Sequence, residues 1–321
     1  MTKLAIIAIG RNEGERLRAC LTSLQGADAR IIYVDSGSSD DSVEFARSLG
    51  IKVVELDQDT PFTAARARNA GVAALGEDLP DFIHFIDGDC VLVEGWLETG
   101  LAAIEADPQL GIVTGWRREI APEASIYNAI CDHEWQRPAG PITACGGDML
   151  VRSEAFQAAG GFNPEVIAAE DDEFCLRVAM SGYTLLRLPH DMTRHDADMH
   201  RFSQWWQRAV RNGHGFAQLG ALHPNHLTRE RLRVLVFALI LPALALIGAF
   251  ITPWLLLGVV AVYLGSYLRT WLGLRQAGMA TGLAAHQALF LSLSKFPNLI
   301  GMARFHLRKR RGADMQIIEY K

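Results

Sequence analysis

The sequence predicts an α/β domain with a mostly parallel sheet, followed by an α-helical membrane segment. In the N-terminal half, short apolar runs alternate with helix-like segments. Clusters of polar residues follow several of the apolar runs, at the strand ends where parallel sheets bind their ligands. Near the C-terminus, a long apolar stretch carries no charged residue.

Each element of the sheet domain is predicted from its pattern. Strands are predicted over Leu4–Ile9, Arg30–Val34, Lys52–Glu55 and Phe82–Ile86. Helices are predicted over Glu15–Leu24, Asp40–Leu49, Thr63–Leu75, Ala169–Ser181 and Phe202–Leu219. The alternation of strands and helices predicts parallel strands covered by helices on both faces.

The charge-free stretch runs from Val234 to Leu268. It is longer than the roughly 20 residues that one membrane span needs, and two short spans that meet near Ile251–Pro253 fit it. A weaker apolar segment, Gln276–Ser294, follows and predicts an interfacial helix. Two crossings are therefore expected; the alternative is a large apolar core of a soluble domain.

The predicted domains are a catalytic domain over residues 1–228 and membrane-anchoring helices with a basic tail over residues 229–321. The tail contains Arg304 and the run Arg308–Arg311, which favour a cytoplasmic position. We therefore expect a protein of the cytoplasmic (inner) membrane whose catalytic domain faces the cytoplasm.

Composition excludes several classes of protein. A net charge of -5 argues against nucleic acid as a partner. The 5 cysteines include no Cys-x-x-Cys pair, which favours reduced thiols over a disulfide framework or a zinc site. The N-terminal apolar run is followed at once by charged residues, so it predicts a strand and no secretory signal.

Two polar clusters at strand ends could carry chemistry. Asp87-Gly88-Asp89 follows the fourth strand, and its two carboxylates could approach one divalent cation, Mg²⁺ or Mn²⁺. Asp35 begins the cluster after the second strand, where its carboxylate could meet a nucleobase edge. A capped turn is the alternative interpretation of both clusters.

Four segments in this order resemble the successive motifs of the family 2 inverting glycosyltransferases, which have the GT-A fold. They are Ala8-Ile9-Gly10-Arg11-Asn12-Glu13, Val34-Asp35-Ser36-Gly37-Ser38-Ser39-Asp40, Ala65-Arg66-Ala67-Arg68-Asn69-Ala70-Gly71 and Asp87-Gly88-Asp89. The resemblance extends from about Leu4 to Gly215. It implies a GT-A (Rossmann-like) fold and a nucleotide-sugar donor, either a UDP- or a GDP-sugar.

The resemblance also implies a donor-binding set. Its members are Arg11, Glu13, Asp35, Arg68, Asp87 and Asp89. Glu13 and Asp35 would line the nucleoside pocket, and Arg68 would lie near the diphosphate. Asp89 would be a direct metal ligand, and His195 would complete the metal shell.

An acceptor side and a general base follow from the same resemblance. Gly146, Gly147 and Asp148 resemble the family's acceptor loop, for which a plain turn is the alternative. In the acidic run Glu170–Glu173, Asp171 would be the general base and Glu170 would lie on the acceptor side. Four acids also suit a helix N-terminus electrostatically, so that interpretation stays open.

Trp205 and Trp206 lie where processive synthases of the family carry Gln-x-x-Arg-Trp. The order here is Gln204-Trp205-Trp206-Gln207-Arg208, which departs from that motif and favours transfer of a single sugar. The two tryptophans are either acceptor-stacking residues or ordinary packing residues.

The expected function is metal-dependent transfer of one sugar to a lipid-linked or glycan acceptor. The anchoring to a membrane favours the lipid-linked acceptor, within cell-envelope glycolipid assembly. One alternative is a polyprenyl-phosphate sugar synthase, whose anionic acceptor needs no strong base. A second alternative is a non-catalytic membrane scaffold that binds nucleotide sugars. A third is a transporter, for which the apolar region is short.

Overall fold

The computed structural model describes residues 3–315 and 318, and the chain forms two compact units. One unit comprises Met1–Ala121 and Cys131–Ala197, and the other comprises Pro122–Ile130 and Asp198–Lys321. The domain boundary predicted after residue 228 rests on the change in hydropathy, whereas these two units are defined by contacts within the structure. The predicted boundary therefore stays a prediction. Residues 316, 317 and 319–321 of the predicted basic tail lie outside the described residues.

The first unit is an α/β sheet domain. Its strands are β1 (Leu4–Gly10), β2 (Arg30–Asp35), β3 (Lys52–Glu55), β4 (Phe82–Asp87), β5 (Cys90–Leu92), β6 (Leu110–Glu119), β7 (Gly140–Ile142), β8 (Met149–Arg152) and β9 (Thr184–His195). Its helices are α1 (Glu15–Ser23), α2 (Ser42–Ser48), α3 (Ala64–Ala73), α4 (Trp96–Ala106), α6 (Ser153–Ala158) and α7 (Glu170–Met180), and α5 (Ile126–Trp135) begins in the second unit.

The sheet has the order β3-β2-β1-β4-β8-β6-β9-β5, with β7 paired to β9. The first four strands in this order are parallel, which confirms the predicted parallel half. Strand β8 is antiparallel to both of its neighbours, so the second half is mixed. The four predicted strands and the helices between them all form, each within two residues of the predicted ends.

Both faces of the sheet are covered, because successive side chains of a strand point to opposite sides. Ala5, Ile7 and Ile9 of β1 belong to the core on one face. Leu4, Ile6 and Ala8 belong to the core on the other face. Such a strand is apolar throughout, as expected of a strand buried on both sides.

Helix α3 packs directly on this sheet and carries a site residue described below. Its N-terminus is capped by Thr63, whose side chain accepts a hydrogen bond from the Arg66 N–H. A Cβ atom on Gly71 would lie 2.4 Å from Ile7 Cγ2, so only glycine permits this close approach to β1.

The second unit is helical. It contains α8 (Phe202–Leu222), α9 (Thr228–Leu235), a π-helical turn (Val236–Ile240), α10 (Leu241–Ile251), α11 (Pro253–Gln276), α12 (Thr281–Leu293) and α13 (Lys295–Arg311). Helices α8 and α13 cross at two glycines: a Cβ atom on Gly213 would lie 2.0 Å from the Asn298 carbonyl oxygen, and one on Gly301 would lie 2.0 Å from the Val210 carbonyl oxygen.

Two helical stretches, Thr228–Ile251 and Pro253–Gln276, are long and apolar enough to cross a membrane. The break between them lies at Thr252, with Pro253 at the first position of α11, which confirms the predicted junction. Large apolar side chains at this junction are exposed: Phe250 is 85% and Trp254 is 78% exposed. The two stretches are therefore candidate membrane spans.

Candidate active site

The polar clusters after β1, β2 and β4 lie at one edge of the sheet. Gly10 of β1 is in register with Asp35 of β2, and Ile9 of β1 is in register with Asp87 of β4. The three strands are parallel, so their carboxyl ends meet at the same edge.

Hydrogen bonds tie the first two loops together. The Asn12 N–H donates to Ser38 Oγ at 2.9 Å, and Asn12 Oδ1 accepts from the Ser39 N–H at 2.7 Å. Asn12 has a φ of 55°, a left-handed conformation that asparagine tolerates well. The Gly14 N–H also donates to Asp40 Oδ2 at 3.1 Å.

Asp35 is buried and organises its own turn. Its Oδ2 accepts hydrogen bonds from the Gly37 and Ser38 N–H groups at 2.9 and 2.8 Å. Its Oδ1 accepts from the Tyr33 hydroxyl at 2.8 Å. Burial and the Asp35 carboxylate together raise the pKa of Tyr33. The turn interpretation is thus confirmed, and a contact of Asp35 with a nucleoside stays a prediction.

Two further members of the predicted donor-binding set, Arg11 and Glu13, lie in the loop after β1. The Arg11 guanidinium is 5.4 Å from the centre of the Phe62 ring, a cation–π distance. Glu13 Oε2 lies 2.9 Å from Arg16 Nε. Their contacts with a donor stay predictions.

Arg68 is buried at the centre of the site, with an exposed fraction of 2%. Its Nη2 lies 2.7 Å from Asp87 Oδ1, and its Nη1 lies 2.9 Å from Glu170 Oε1. Burial by itself would lower the pKa of Arg68, but the carboxylates of Asp87 and Glu170 outweigh it and raise the pKa. Arg68 therefore joins α3, the end of β4 and the start of α7; its predicted diphosphate contact stays a prediction.

Gly147 lies against this ion-pair network. A Cβ atom there would lie 2.1 Å from Arg68 Nη2 and 3.1 Å from Asp87 Oδ1. The neighbouring Gly146 is different: its Cβ atom would make only ordinary contacts, 3.9 Å from Arg117 Nη2 and 4.0 Å from Asp171 Oδ2. Gly147 therefore has no room for a side chain, whereas Gly146 has room and lies beside the Asp171 carboxylate.

Sequence reasoning missed Arg117, the second cation of the site, whose side chain is 16% exposed. Its Nη2 lies 3.1 Å from Asp87 Oδ2 and 2.8 Å from Asp148 Oδ2. Asp87 is consequently held between two guanidinium groups, of Arg68 and Arg117. No local motif marks Arg117, because its partners are far away in the sequence and only the pairing of β6 brings it to them.

Asp148 is buried in the site, with an exposed fraction of 1%. Its Oδ1 accepts from the Asp87 N–H at 3.0 Å, and its Oδ2 accepts from the Thr193 hydroxyl at 2.7 Å. Burial would raise the pKa of Asp148, but Arg117 and the Thr193 hydrogen bond outweigh it and lower the pKa. Its predicted role on the acceptor side stays a prediction.

His195 lies beside Asp89, because β5 pairs with the end of β9 and places Cys90 opposite His195. His195 Nε2 is 3.2 Å from Asp89 Oδ2. On the other side of the ring, Glu119 Oε2 lies 3.9 Å from Nδ1. A carboxylate oxygen and an imidazole nitrogen at this separation fit as two ligands of one divalent cation.

Asp171 lies in the first turn of α7 and is partly exposed. Burial of the carboxyl group raises the pKa of Asp171 to about 7, with a further contribution from Glu170 that Arg68 partly offsets. Two other acids of the run are engaged in ion pairs, Glu170 with Arg68 and Glu173 with Arg177. A carboxyl group with a pKa near neutrality, next to Gly146, can accept a proton from a bound hydroxyl.

Trp205 and Trp206 belong to the helical unit. Trp205 is buried and meets Phe290 edge to face, with ring centres 4.8 Å apart. Trp206 packs near Phe202, with ring centres 5.6 Å apart. The packing interpretation is confirmed for Trp205, and a contact of either tryptophan with an acceptor stays a prediction.

Fold and site together define the class of protein: an α/β enzyme with a carboxylate-rich sheet edge and a candidate general base. Two family models match the chain, "Glycosyl transferase family 2" over residues 5–155 and "Glycosyl transferase family group 2" over residues 82–291. The second match covers more than half of the chain. The chain belongs to the family 2 glycosyltransferases, and the predicted enzyme class is confirmed.

Curated relatives include two proteins of glycan biosynthesis. The chain is 31% identical to the succinoglycan biosynthesis protein ExoA of Rhizobium meliloti over 53% of this chain and 54% of that protein. It is 25% identical to the glycosyltransferase AglE of Haloferax volcanii over 72% of this chain and 76% of that protein. The chain thus spans about half the length of ExoA.

Solved structures with the same fold include two glycosyltransferase complexes. The mannosyltransferase PcManGT of Pyrobaculum calidifontis, in complex with GDP-Man and Mn²⁺, has a TM-score of 0.59 at 17% identity, covering 96% of this chain and 88% of that one. S. aureus TarS 1-349, in complex with UDP-GlcNAc, has a TM-score of 0.53 at 15% identity, covering 97% and 92%. The predicted GT-A fold is confirmed.

Proposed function

We propose that this protein is an inverting, metal-dependent glycosyltransferase that moves one sugar from a UDP- or GDP-sugar to an acceptor hydroxyl. The observation that carries the proposal is the Asp171 carboxyl group. It lies beside the Gly146 loop, its pKa is raised to about 7, and two neighbouring acids are held in ion pairs.

The charge of the site supports metal dependence. Two guanidinium groups, of Arg68 and Arg117, face a larger number of carboxylates, those of Asp87, Asp89, Asp148 and Glu170. A diphosphate would be repelled by this excess of negative charge unless a cation came with it. Asp89 and His195 would hold a divalent metal, Mg²⁺ or Mn²⁺. When bound, such an ion stabilises negative charge on phosphate oxygens.

The remaining steps belong to residues of this chain. Asp87 and its two arginines would fix the donor side, while the loop at Gly146 and Gly147 lets an acceptor approach closely. Asp171 would take the proton from the acceptor hydroxyl as the oxygen attacks the anomeric carbon. Attack opposite the leaving group inverts the configuration at that carbon.

The bound nucleotide sugars of PcManGT and TarS support a GDP- or UDP-sugar as the donor class for this chain as well. The two candidate membrane spans support a lipid-linked acceptor and a location at the cytoplasmic membrane, with residues 1–228 facing the cytoplasm. The departure from Gln-x-x-Arg-Trp at residues 204–208 supports transfer of a single sugar.

The test is nucleotide binding and sugar transfer by the full chain purified in detergent. UDP, GDP, CMP and ADP are screened by calorimetry with and without Mn²⁺, first on the wild type and then on Asp89→Ala. We expect one nucleotide to bind the wild type in a metal-dependent way. This metal-dependent binding should be lost in Asp89→Ala. Binding of no nucleotide by a folded sample would refute the proposal in favour of a scaffold without the chemistry.

The role of Asp171 is tested separately with the matched variants Asp171→Asn and Asp172→Asn. Loss of a general base costs about 10²–10⁴-fold in rate, so Asp171→Asn should lose most transfer while nucleotide binding persists. Asp172→Asn should keep most of the activity. Equal activity of Asp171→Asn and the wild type would point to an anionic acceptor, as in a polyprenyl-phosphate sugar synthase.

A further inference from the structure

Two thiols, of Cys145 and Cys175, meet beneath the candidate active site. Their Sγ atoms are 3.5 Å apart, close to van der Waals contact. Cys145 directly precedes Gly146, and Cys175 lies one helical turn after Asp171 on α7. The pair therefore connects the glycine loop to the helix that carries the candidate base.

The two thiols differ in access. Cys175 is fully buried, whereas Cys145 is partly exposed and can be reached by a small reagent. The hydrogen bond to Cys145 and burial together raise the pKa of Cys175. Because it is the accessible member of the pair, Cys145 is placed to react first.

A buried cation of β9, Arg187, lies in the same region of the fold. Arg187 is 7% exposed, and its Nε has no hydrogen-bond partner. Its Nη1 makes one long contact, 3.5 Å to the Pro138 carbonyl oxygen. Burial lowers the pKa of Arg187, and the charges of Cys145 and Cys175 act in the opposite direction. Arg187 thus supplies positive charge in the part of the domain that contains the two thiols.

We propose that Cys145 and Cys175 form a reversible oxidation site, whose disulfide form inactivates the enzyme. The oxidant is a low-molecular-weight disulfide. The Cys145 thiolate attacks one of its sulfur atoms, which forms a mixed disulfide and releases one thiolate. Cys175 then gives up its proton and attacks Cys145 Sγ, which releases the second thiolate. The protein loses two S–H groups and gains one S–S bond, and the oxidant is reduced to two thiols.

Disulfide formation pulls on Cys145, the residue that directly precedes the glycine loop. The sulfur atoms have to approach from 3.5 Å to about 2.05 Å, and Gly147 has no spare room against Arg68. The shift changes the position of Gly146 relative to Asp171. A misplacement of about 1 Å can cost on the order of 10²-fold in rate. This loss of activity rests on the proposed function, whereas formation of the bond does not.

The experiment uses the full chain in detergent, treated with glutathione disulfide. Mass spectrometry of non-reduced proteolytic peptides should show a Cys145–Cys175 cross-link that dithiothreitol removes. Cys175→Ser should give a mixed disulfide at Cys145 and no cross-link.

Activity gives the second readout. Oxidised wild type should lose at least about tenfold in sugar transfer and recover on reduction, while Cys145→Ser, which forms neither the mixed disulfide nor the cross-link, should keep its activity under the same treatment. Absence of the cross-link, with Cys145 as unreactive as the buried Cys20 and Cys131, would overturn the site. A complete cross-link with unchanged transfer would overturn the inactivation. If no variant or condition shows transfer, the cross-link still decides the chemistry of the thiols, and only the proposed function fails.

Discussion

Adding one methyl group at Gly147 tests the packing of the candidate active site. In Gly147→Ala the new Cβ atom would lie 2.1 Å from Arg68 Nη2, far inside contact distance. Arg68 is 2% exposed and bonded to both Asp87 and Glu170, so it cannot move aside without losing an ion pair. Overpacking a rigid interior costs about 1–3 kcal/mol, and the full rupture of a buried ion pair costs about 3–5 kcal/mol.

The side chain of Arg68 will shift rather than lose both partners, so we expect a cost of about 2–4 kcal/mol in the free energy of unfolding. For a protein of 321 residues, that lowers Tm by roughly 3–6 °C. Donor binding should weaken as well, because Asp87 moves with Arg68.

The measurement is thermal unfolding of the purified protein followed by tryptophan fluorescence, with nucleotide binding on the same samples. Gly146→Ala is the matched control, since its Cβ atom would come no closer than 3.9 Å to any side chain. It should change the free energy of unfolding by less than about 0.5 kcal/mol. Equal Tm values for the two variants would refute the claim that Arg68 is rigidly held.

Four further predictions concern the site and the helices. The pKa of Asp171 is about 7 in the folded protein, so kcat/KM should fall about tenfold per pH unit below that value; a profile that stays flat down to pH 5 contradicts a base role. Because this raised pKa makes the ionised carboxylate unfavourable in the fold, its stability contribution is lost as pH rises through 7, and Asp171→Asn should raise Tm more at pH 8 than at pH 5. Arg117→Gln should cost about 3–5 kcal/mol by leaving buried Asp148 without its cation, against less than about 1 kcal/mol in Arg118→Gln for its neighbour, whose side chain is 36% exposed. Similar thermal shifts for the two variants would argue against a buried network. Membranes washed with sodium carbonate should retain the protein, whereas its release would show that the apolar helices do not span.

The parallel half of the sheet was predictable because each strand in it is a local, apolar pattern. In β1 every residue from Leu4 to Ile9 is buried, and most residues of its neighbours β2 and β4 are buried as well. The mixed half of the sheet was not predicted. Strand β9 contains Pro189 and several charged residues, and its pairing with β6 shifts register at several points. An irregular ladder of this kind leaves no regular alternation in the sequence.

The site residues also divide into those that a local sequence pattern marks and those that only strand pairing brings together. Motif residues such as Asp87, Asp89 and Asp171 could be named in advance, because each follows a recognisable strand or begins an acidic helix. Arg117 and Glu119 could not, because their partners come together only when β6 pairs with β8 and β9. The acidic run alone also gave no physical basis for choosing among its members. The ion pairs of Glu170 and Glu173 set those two acids apart from the others, and the choice of Asp171 over Asp172 stays a prediction.

By itself the sequence determined the enzyme family, the parallel strands, the junction at Thr252 and the residue types of the site, because all of these are encoded over short stretches of chain. Only the tertiary structure decided which carboxylates are paired, which glycine has no room for a side chain, and that Cys145 meets Cys175. These facts depend on distances between segments far apart in the sequence. Long-range burial and charge, which set the pKa of Asp171 and hold Arg68 in place, exist only in the folded chain.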